Sequence, residues 1–403
     1  MYYLAEMANK PERLAVGLMS GSSLDGVDAV LMRVKGNGEN TSFDMLEFDC
    51  LPFDADTKAR ILELFEYDTS TIDKVTIMNV VLGELYAKAA LWVIAKAGYR
   101  PEEVDLIGAW PLAVYHIPGR NRPIDVLGFR IGAVLQLGEI NVIAERTGIT
   151  TIGSFCARDL AAGGNGAPLT GVGDYILFHH SERNRVVQNI GGIGNANLIP
   201  AHGGMDNVIG FDTGPGNMVI DAMVRHLTNG QLHYDKDGKM AIDGTVNKEV
   251  LEHFLQEPYI QQAPPKASGR EDFGEHFARR FLAKAREKQL ADNDIVATAT
   301  AFTVESIALA YERYLMPHAS LDEIIVGGGG ALNLALMKML RQRLPQIPVK
   351  VDEEYGISSF AKEAMYMVFL ANETLAGRPN NVPSITGASR SVVTGLIAPV
   401  YRP

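Results

Sequence analysis

The sequence predicts an α/β protein built from a duplicated domain, and three observations carry that expectation. A strand, a Gly-rich tip and a second strand occur once in each half, at residues 14–32 and 185–199. Helical periodicity follows each of these sheet segments. At 403 residues the chain is also too long for one ordinary core, so two domains are expected.

Composition narrows the class. Hydrophobic residues make up 47% and charged residues 21%, ordinary values for a globular protein. Net charge is −11, from 37 basic and 48 acidic residues, and no basic cluster stands out. Nucleic acid and membrane surfaces are therefore not expected partners. The two cysteines, Cys50 and Cys156, make neither a disulfide framework nor a metal cluster. Residues 1–13 mix charges without an apolar core, which predicts no signal peptide, and no apolar run is expected to reach membrane-spanning length. A soluble cytoplasmic protein is expected, and its 40 clustered glycines suggest an enzyme.

In chain order, residues 14–19 read as a buried strand, 20–26 as a polar loop and 27–32 as the returning strand. The loop is no Walker motif, because no Gly-Lys-Ser/Thr follows and the next element is a strand. A hairpin tip can still cradle phosphate through concave N–H groups, although in isolation a plain turn is the favoured reading. Residues 43–53 read as a third strand, 54–65 and 72–96 as helices, and 105–110 as a short strand stopped by Pro111. A helix is expected around 136–148 and a flexible stretch at 161–169. After the second hairpin, residues 234–244 read as a polar loop and 258–274 as a stiff segment containing Pro264-Pro-Lys-Ala-Ser-Gly-Arg-Glu271. Helices at 275–288 and 295–314 precede a strand, 323–326, that runs into four glycines, 327–330. Such a run implies very close backbone approach to a ligand or another element. Residues 360–375 read as a helix and 378–403 as mostly loop.

The stretch Gly210-Phe-Asp-Thr-Gly-Pro-Gly-Asn217 reads as strand, tight turn and helix, with a carboxylate at the strand's end. Glycines before a helix let N–H groups approach an anion. Asp212 beside them suits a different task, taking a proton from an attacking oxygen. An Asx-turn carboxylate with glycines chosen for geometry alone is the plain alternative. Together, two hairpins and a late Gly loop have the layout of a duplicated domain clasping a nucleotide between its halves.

At this point the chain resembles the anhydrosugar kinases of the actin, sugar-kinase and heat-shock-protein superfamily. The motifs are Gly17-Leu-Met-Ser-Gly-Ser-Ser-Leu-Asp-Gly-Val-Asp28, Asn189-Ile-Gly-Gly-Ile-Gly-Asn195, the Asp212 octapeptide, the 264–271 segment and Gly327-Gly-Gly-Gly-Ala331. They run over nearly the whole chain, from about 14 to 388, and residues 225–238 look closer to the fungal levoglucosan kinase than to the bacterial muramic acid enzymes. The resemblance implies two RNase H-like, actin-like ATPase domains with a nucleotide cleft between them, expected at residues 1–145 plus 376–403 and at 146–375.

It also implies ATP and Mg²⁺ as cofactors and a small-molecule sugar as substrate. Asp212 would be the general base that activates water at the anomeric carbon while O6 takes the γ-phosphoryl group. Gly21, Ser22, Ser23, Asp25 and Gly26 would hold the nucleotide from one hairpin, and Asn189, Gly191, Gly192, Gly194 and Asn195 from the other. Gly214, Gly216, Asn217, Lys266, Gly327, Gly328 and Gly329 would complete that site, with Asp25 nearest the metal. Glu363 and Arg146 are expected by the sugar, with Trp110 and Ala113. By analogy with family members, a homodimer is expected.

Departures cluster on the sugar side. The family's Ser-His-Gly-Gln-Thr is Ala109-Trp110-Pro111-Leu112-Ala113 here, its Asp-Phe-Arg is Ser154-Phe155-Cys156, and its Gly-Gln-Gly is Gly164-Asn165-Gly166. Losing groups that pair sugar hydroxyls should change which acceptor fits. Three readings stay open: an anhydrosugar kinase with an altered acceptor pocket, a kinase of the same fold acting on another glycoside or alcohol, and a nucleotide-binding regulator without turnover.

Overall fold

The computed structural model describes residues 2–21 and 24–401. Its strands are β1 Glu12–Met19, β2 Gly26–Lys35, β3 Ser42–Pro52, β4 Leu106–Trp110, β5 Leu112–Ile117, β6 Ile124–Val126, β7 Phe129–Ile131 and β8 Ala133–Leu137. They continue as β9 Thr150–Gly153, β10 Arg185–Ile190, β11 Ile193–Ile199, β12 Ile209–Pro215, β13 Glu323–Gly327, β14 Val349–Val351 and β15 Leu396–Ala398. The chain divides into two compact units, one reaching Leu177 and resuming at Phe360, the other Phe178–Ser359.

Each unit is organised by a sheet with the same topology. In the first the order is β15-β9-β4-β1-β2-β3, and in the second β12-β11-β10-β13-β14. In both, an antiparallel meander of three strands is continued on its first strand by parallel ones, β4 and β9 beside β1, β13 and β14 beside β10. The first unit adds β15 antiparallel to β9. This duplication is the RNase H-like α/β arrangement: β1 and β10, each paired on both edges, are buried along most of their length.

In the first unit strand parity sorts the two faces. Val16, Leu18, Val27 and Ala29 pack with Tyr86, Ala89, Ala90 and Val93 of helix Ile72–Lys96. The other face meets helix Lys362–Leu375. There Gly17 and Gly108 are required, because a Cβ would lie 1.9 Å from the Ala364 carbonyl oxygen and 2.0 Å from that of Met367. In the second unit helix Asp292–Tyr314 runs through a core in which Phe277 stacks on Phe302 at 5.7 Å and Phe254 and Phe281 close around them.

Several expectations need correction. Residues 146–177 and 360–375 belong to the first unit, not the second, because β9 extends the first sheet by pairing with β4 and helix Lys362–Leu375 lies on β1 and β4. Residues 136–148 begin as the end of β8, and the helix is Ile140–Thr147. Stretch 161–169 is pinned rather than loose. Asn165 is fully buried, accepts the N–H groups of Arg120 and Asn121 at 3.0 Å, and sits beside Asp159, which accepts from Gly166 N–H, Asn381 and Thr386. Helices Ile72–Lys96 and Asp292–Tyr314 do reach membrane-spanning length and hydropathy, yet each is packed against its own sheet.

The helix contact at Gly17 yields the first expected outcome. Gly17→Ala should destabilise the protein by about 1–3 kcal/mol through overpacking. Urea unfolding checks it, as a lower midpoint with an unchanged m value.

Candidate active site

The second sheet brings four residues that are distant in sequence into one row. Gly327 pairs with Asn189, Asn189 with Asn195, and Asn195 with Asp212, across β13, β10, β11 and β12. Directly paired residues point to the same face, so both amides and the carboxylate share it. The row lies near the carboxyl ends of β10 and β13, where open α/β sheets bind ligands, and crosses β12 at its middle.

Three Gly-rich segments meet at that edge. Asn217 and Gly216 donate their N–H groups to Gly191 and Gly192 carbonyls at 2.8 and 2.9 Å, and Asn217 Nδ2 reaches the Ile190 carbonyl at 3.2 Å. Gly328 lies against Asn189 and Ile190. Some of these glycines serve the fold itself: at Gly216 a Cβ would lie 2.3 Å from the Gly191 carbonyl oxygen, and Gly194 and Gly214 abut Thr213 and Ser306. Gly191, Gly192 and Gly329 differ. Their backbone is not left-handed, and a Cβ would meet nothing closer than 3.7, 3.3 and 3.7 Å. Protein packing gives no reason for glycine there, whereas a phosphate chain lying against the backbone would.

Asp212 itself is 7% exposed, and burial pushes its carboxyl up to about 7. The Ser268 N–H, donating to Oδ2 at 2.8 Å, and the Lys266 charge act against that rise, while Glu271 and Asp272 add to it. Its backbone is held too. The Asp212 N–H donates to the Lys266 carbonyl at 3.2 Å, and Tyr259 Oη donates to the Asp212 carbonyl at 3.0 Å. Ser268 and Tyr259 were not foreseen; the 264–271 motif was noticed, but a backbone contact across 56 positions leaves no side-chain signature.

Lys266 departs from expectation. It is 1% exposed, with Nζ donating to the Tyr259 carbonyl at 3.3 Å and lying over the rings of Tyr259, Tyr314 and Phe211. An amine so enclosed is not an arm extended to a phosphate.

In the first unit Trp110 pairs with Met19, Met19 with Asp28, and Asp28 with Cys50. By parity this row shares the face of helix Lys362–Leu375, whose first turn carries Glu363. Burial raises the Glu363 carboxyl, Lys362 eases it and Asp28 adds to the rise. Asp25 is three-quarters exposed at the β1–β2 turn between Gly21 and Gly26, with Lys58 at 3.7 Å. Ser22 and Ser23 lie outside the described residues. Ala113 is half-buried on β5. Arg146 does not join them: it is on helix Ile140–Thr147, packed with helix Ile72–Lys96, and its guanidinium is held at 2.8 Å by Glu84. Cys156 is buried, not lining an open surface. Among the described residues, no group of three or more His, Cys, Asp or Glu is arranged to hold a metal. Asp25 offers one carboxylate, the number Mg²⁺ commonly takes when phosphates supply the remainder.

Against known proteins, residues 13–400 match a family model described as anhydro-N-acetylmuramic acid kinase. The anhydro-N-acetylmuramic acid kinase of Caldanaerobacter subterraneus subsp. tengcongensis is 45% identical over 98% of this chain and 99% of its own. That of Bacillus thuringiensis subsp. konkukian is 42% identical over 95% and 98%. Among solved structures, component A of the Acidaminococcus fermentans (R)-2-hydroxyglutaryl-CoA dehydratase aligns with TM-score 0.46 and 12% identity, covering 90% of this chain and 99% of that one, too loosely to carry an argument. Matched almost end to end and at such identity, the chain belongs to the anhydro-N-acetylmuramic acid kinase family.

Proposed function

We propose that the protein is an ATP-dependent anhydrosugar kinase that couples hydrolytic opening of a 1,6-anhydro bridge to phosphorylation of O6. The observation that carries this reading is the buried Asp212 carboxylate, pushed up to about 7, at the edge where Gly191, Gly192 and Gly329 leave their backbone uncovered. A general base works best with a pKa near the working pH. Asp212 takes a proton from water as the water oxygen bonds to the anomeric carbon. The bond from that carbon to O6 breaks, and O6 accepts the γ-phosphoryl group of ATP. The products are a hexose 6-phosphate and ADP, and Asp212 later returns its proton to solvent.

Phosphoryl transfer asks for positioning and charge neutralisation more than covalent chemistry. Backbone N–H groups around Gly191, Gly192, Gly214, Gly216, Gly327, Gly328 and Gly329, with Asn189, Asn195 and Asn217, hold the phosphates in this reading, together with Gly21, Gly26 and their neighbours. Bound Mg²⁺ neutralises phosphate charge, and Asp25 is its proposed protein ligand. Trp110, Ala113 and Glu363 are the proposed acceptor contacts. Lys266 and Arg146 are not assigned to either ligand, since both cations are already engaged.

A second reading, a kinase of the same fold with another acceptor, is favoured by one observation. Trp110 and Ala113 are partly exposed and stand where hydrogen-bonding residues are usual. With two or three buried hydrogen bonds to a polar acceptor lost, each worth about 1–3 kcal/mol, KM for levoglucosan or anhydro-N-acetylmuramic acid should rise at least about tenfold above that of members with the usual residues. Steady-state kinetics with both sugars, free sugars and simple glycosides separates the readings. An acceptor other than an anhydrosugar with the highest kcat/KM establishes the second.

Nucleotide binding is tested without any acceptor. Saturating Mg-ATP should raise Tm by mass action. Gly192→Val should abolish that shift while leaving the unliganded Tm nearly unchanged, since a Cβ there meets only the far end of the flexible Met218 side chain, at 3.3 Å. No shift in the unmodified protein removes the kinase reading.

For the base, Asp212→Asn should keep the Mg-ATP shift and lower turnover by about 10² or more. In the unmodified enzyme kcat/KM should fall as pH drops through about 7, where the carboxylate takes up its proton. A flat profile from pH 5 to 9 contradicts Asp212 as the base.

A further inference from the structure

Lys266 is a large internal cation that nucleotide binding leaves without a role. A buried ammonium is costly, and packing alone is served better by an apolar side chain of similar length. Here the cost is only partly offset. Among the described residues Lys266 Nζ has one hydrogen bond, to the Tyr259 carbonyl, and lies 4.7, 5.6 and 5.8 Å from the ring centroids of Tyr259, Tyr314 and Phe211. Three rings can hold a cation by their quadrupoles, yet an ammonium offers three donors.

The same residues that cage the ammonium grip Asp212. Tyr259 cages Nζ with its ring and donates its hydroxyl to the Asp212 carbonyl. Lys266 accepts the Asp212 N–H through its own carbonyl, and two residues on Ser268 donates its N–H to Oδ2. Phe211, adjacent to Asp212 on β12, supplies another wall of the cage. Segment 259–268 is thus a strap around Asp212, and the Lys266 ammonium is the pin that fastens it against the rings of Phe211, Tyr259 and Tyr314.

We infer that Lys266 is a positioning residue for the reaction, a caged cation that holds the strap on Asp212 and keeps that carboxylate ionised enough to accept a proton. This rests on the reading of Asp212 as the base. The charges facing the pair come from three elements. Glu271 and Asp272 on helix Arg270–Phe273 oppose ionisation of Asp212. Arg313 on helix Asp292–Tyr314 opposes protonation of Lys266, while Asp212 on β12 favours it. Arg313 is itself turned to Gln261 Oε1 at 3.0 Å, so Lys266 is the cation that acts on Asp212. Burial pushes the Lys266 ammonium down to about 8, within reach of the Asp212 value of about 7.

The test reads Asp212 directly. In full-length protein labelled with ¹³C at aspartate carboxyls, the Asp212 resonance is assigned by its loss in Asp212→Asn and titrated without ligands. Lys266→Met keeps the apolar stem and removes the charge. It should move the Asp212 titration upward by about one pH unit or more, the usual reach of a neighbouring cation. Lys266→Arg, which keeps the charge, should move it by less. A folded Lys266→Met protein whose Asp212 titrates as before overturns the inference. Should Lys266→Met fail to fold, the unmodified protein decides: the Asp212 curve carries a second inflection as the caged ammonium loses its proton near about 8, and a single inflection overturns the inference. The acid limb of kcat/KM should follow the resonance in Lys266→Met. A resonance that moves while the rate profile stays still shows the charge coupling of Lys266 to Asp212 but rejects Asp212 as the base, and with it the positioning role in the reaction.

Discussion

Strand register in the second sheet is the constraint from which the site follows. Residues 189, 195, 212 and 327 are scattered over the chain, and only the pairing of β13 with β10, β10 with β11 and β11 with β12 sets them side by side. A slip of one residue would send each side chain to the opposite face. The register is held by the apolar partners of the same strands, Val186, Ile190, Ala196, Leu198 and Phe211, which are buried in one core. The core residues therefore fix the orientation of the polar row from the opposite face of the sheet.

That placement has a thermodynamic consequence for the fold. Asp212 has a folded value of about 7, above the usual carboxylate value of 3.8, so its stabilising contribution is present below 3.8 and lost as pH rises through about 7. Lys266 has a folded value of about 8, below 10.5, so its contribution is present above 10.5 and lost as pH falls through about 8. Between about 7 and 8 both groups are ionised and each opposes the fold. Their mutual attraction offsets part of this, which is why neither would be tolerated easily without the other.

How much of this was legible in the sequence depended on whether the signal was local. The hairpin tips, the Asp212 turn and the 327–330 run were legible because glycine clusters mark tight turns wherever they occur. The strand–helix alternation was legible for the same local reason, while β5 to β8 and the short helices Cys156–Ala161 and Thr170–Phe178 were too brief to show a period. The unit boundary was misread because β9 joins β4 from 40 and more positions away. Arg146 was misassigned because an amphipathic helix does not reveal which face of the sheet it covers, and its partner Glu84 lies 62 positions earlier. Lys266 was expected at the nucleotide because composition cannot show that three aromatic rings from distant elements enclose it.

Duplication with divergence gives the third strand of the meander a carboxylate in one unit and a thiol in the other. The corresponding end of the first sheet has the row Trp110, Met19, Asp28 and Cys50, with Cys50 on the third strand of the meander as Asp212 is in the second. Burial, and then the hydrogen bond to Asp28, push the Cys50 thiol up to about 12, so it stays protonated and cannot accept a proton near neutrality. The first unit instead gathers carboxylates whose ionisation is mutually discouraged: burial raises Asp28 and Asp25 adds to it, and Asp28 in turn raises Glu363. Such a group of acids has little use for holding an anion by itself. It suits a face that receives a cation or sugar hydroxyls, with Trp110 beside it as an apolar plane for a sugar ring. In the proposed reading, proton transfer falls to the second unit, acceptor contact to the first, and phosphate contact to glycines of both. Substitutions at 109–113 can then alter the acceptor without disturbing the Asp212 row.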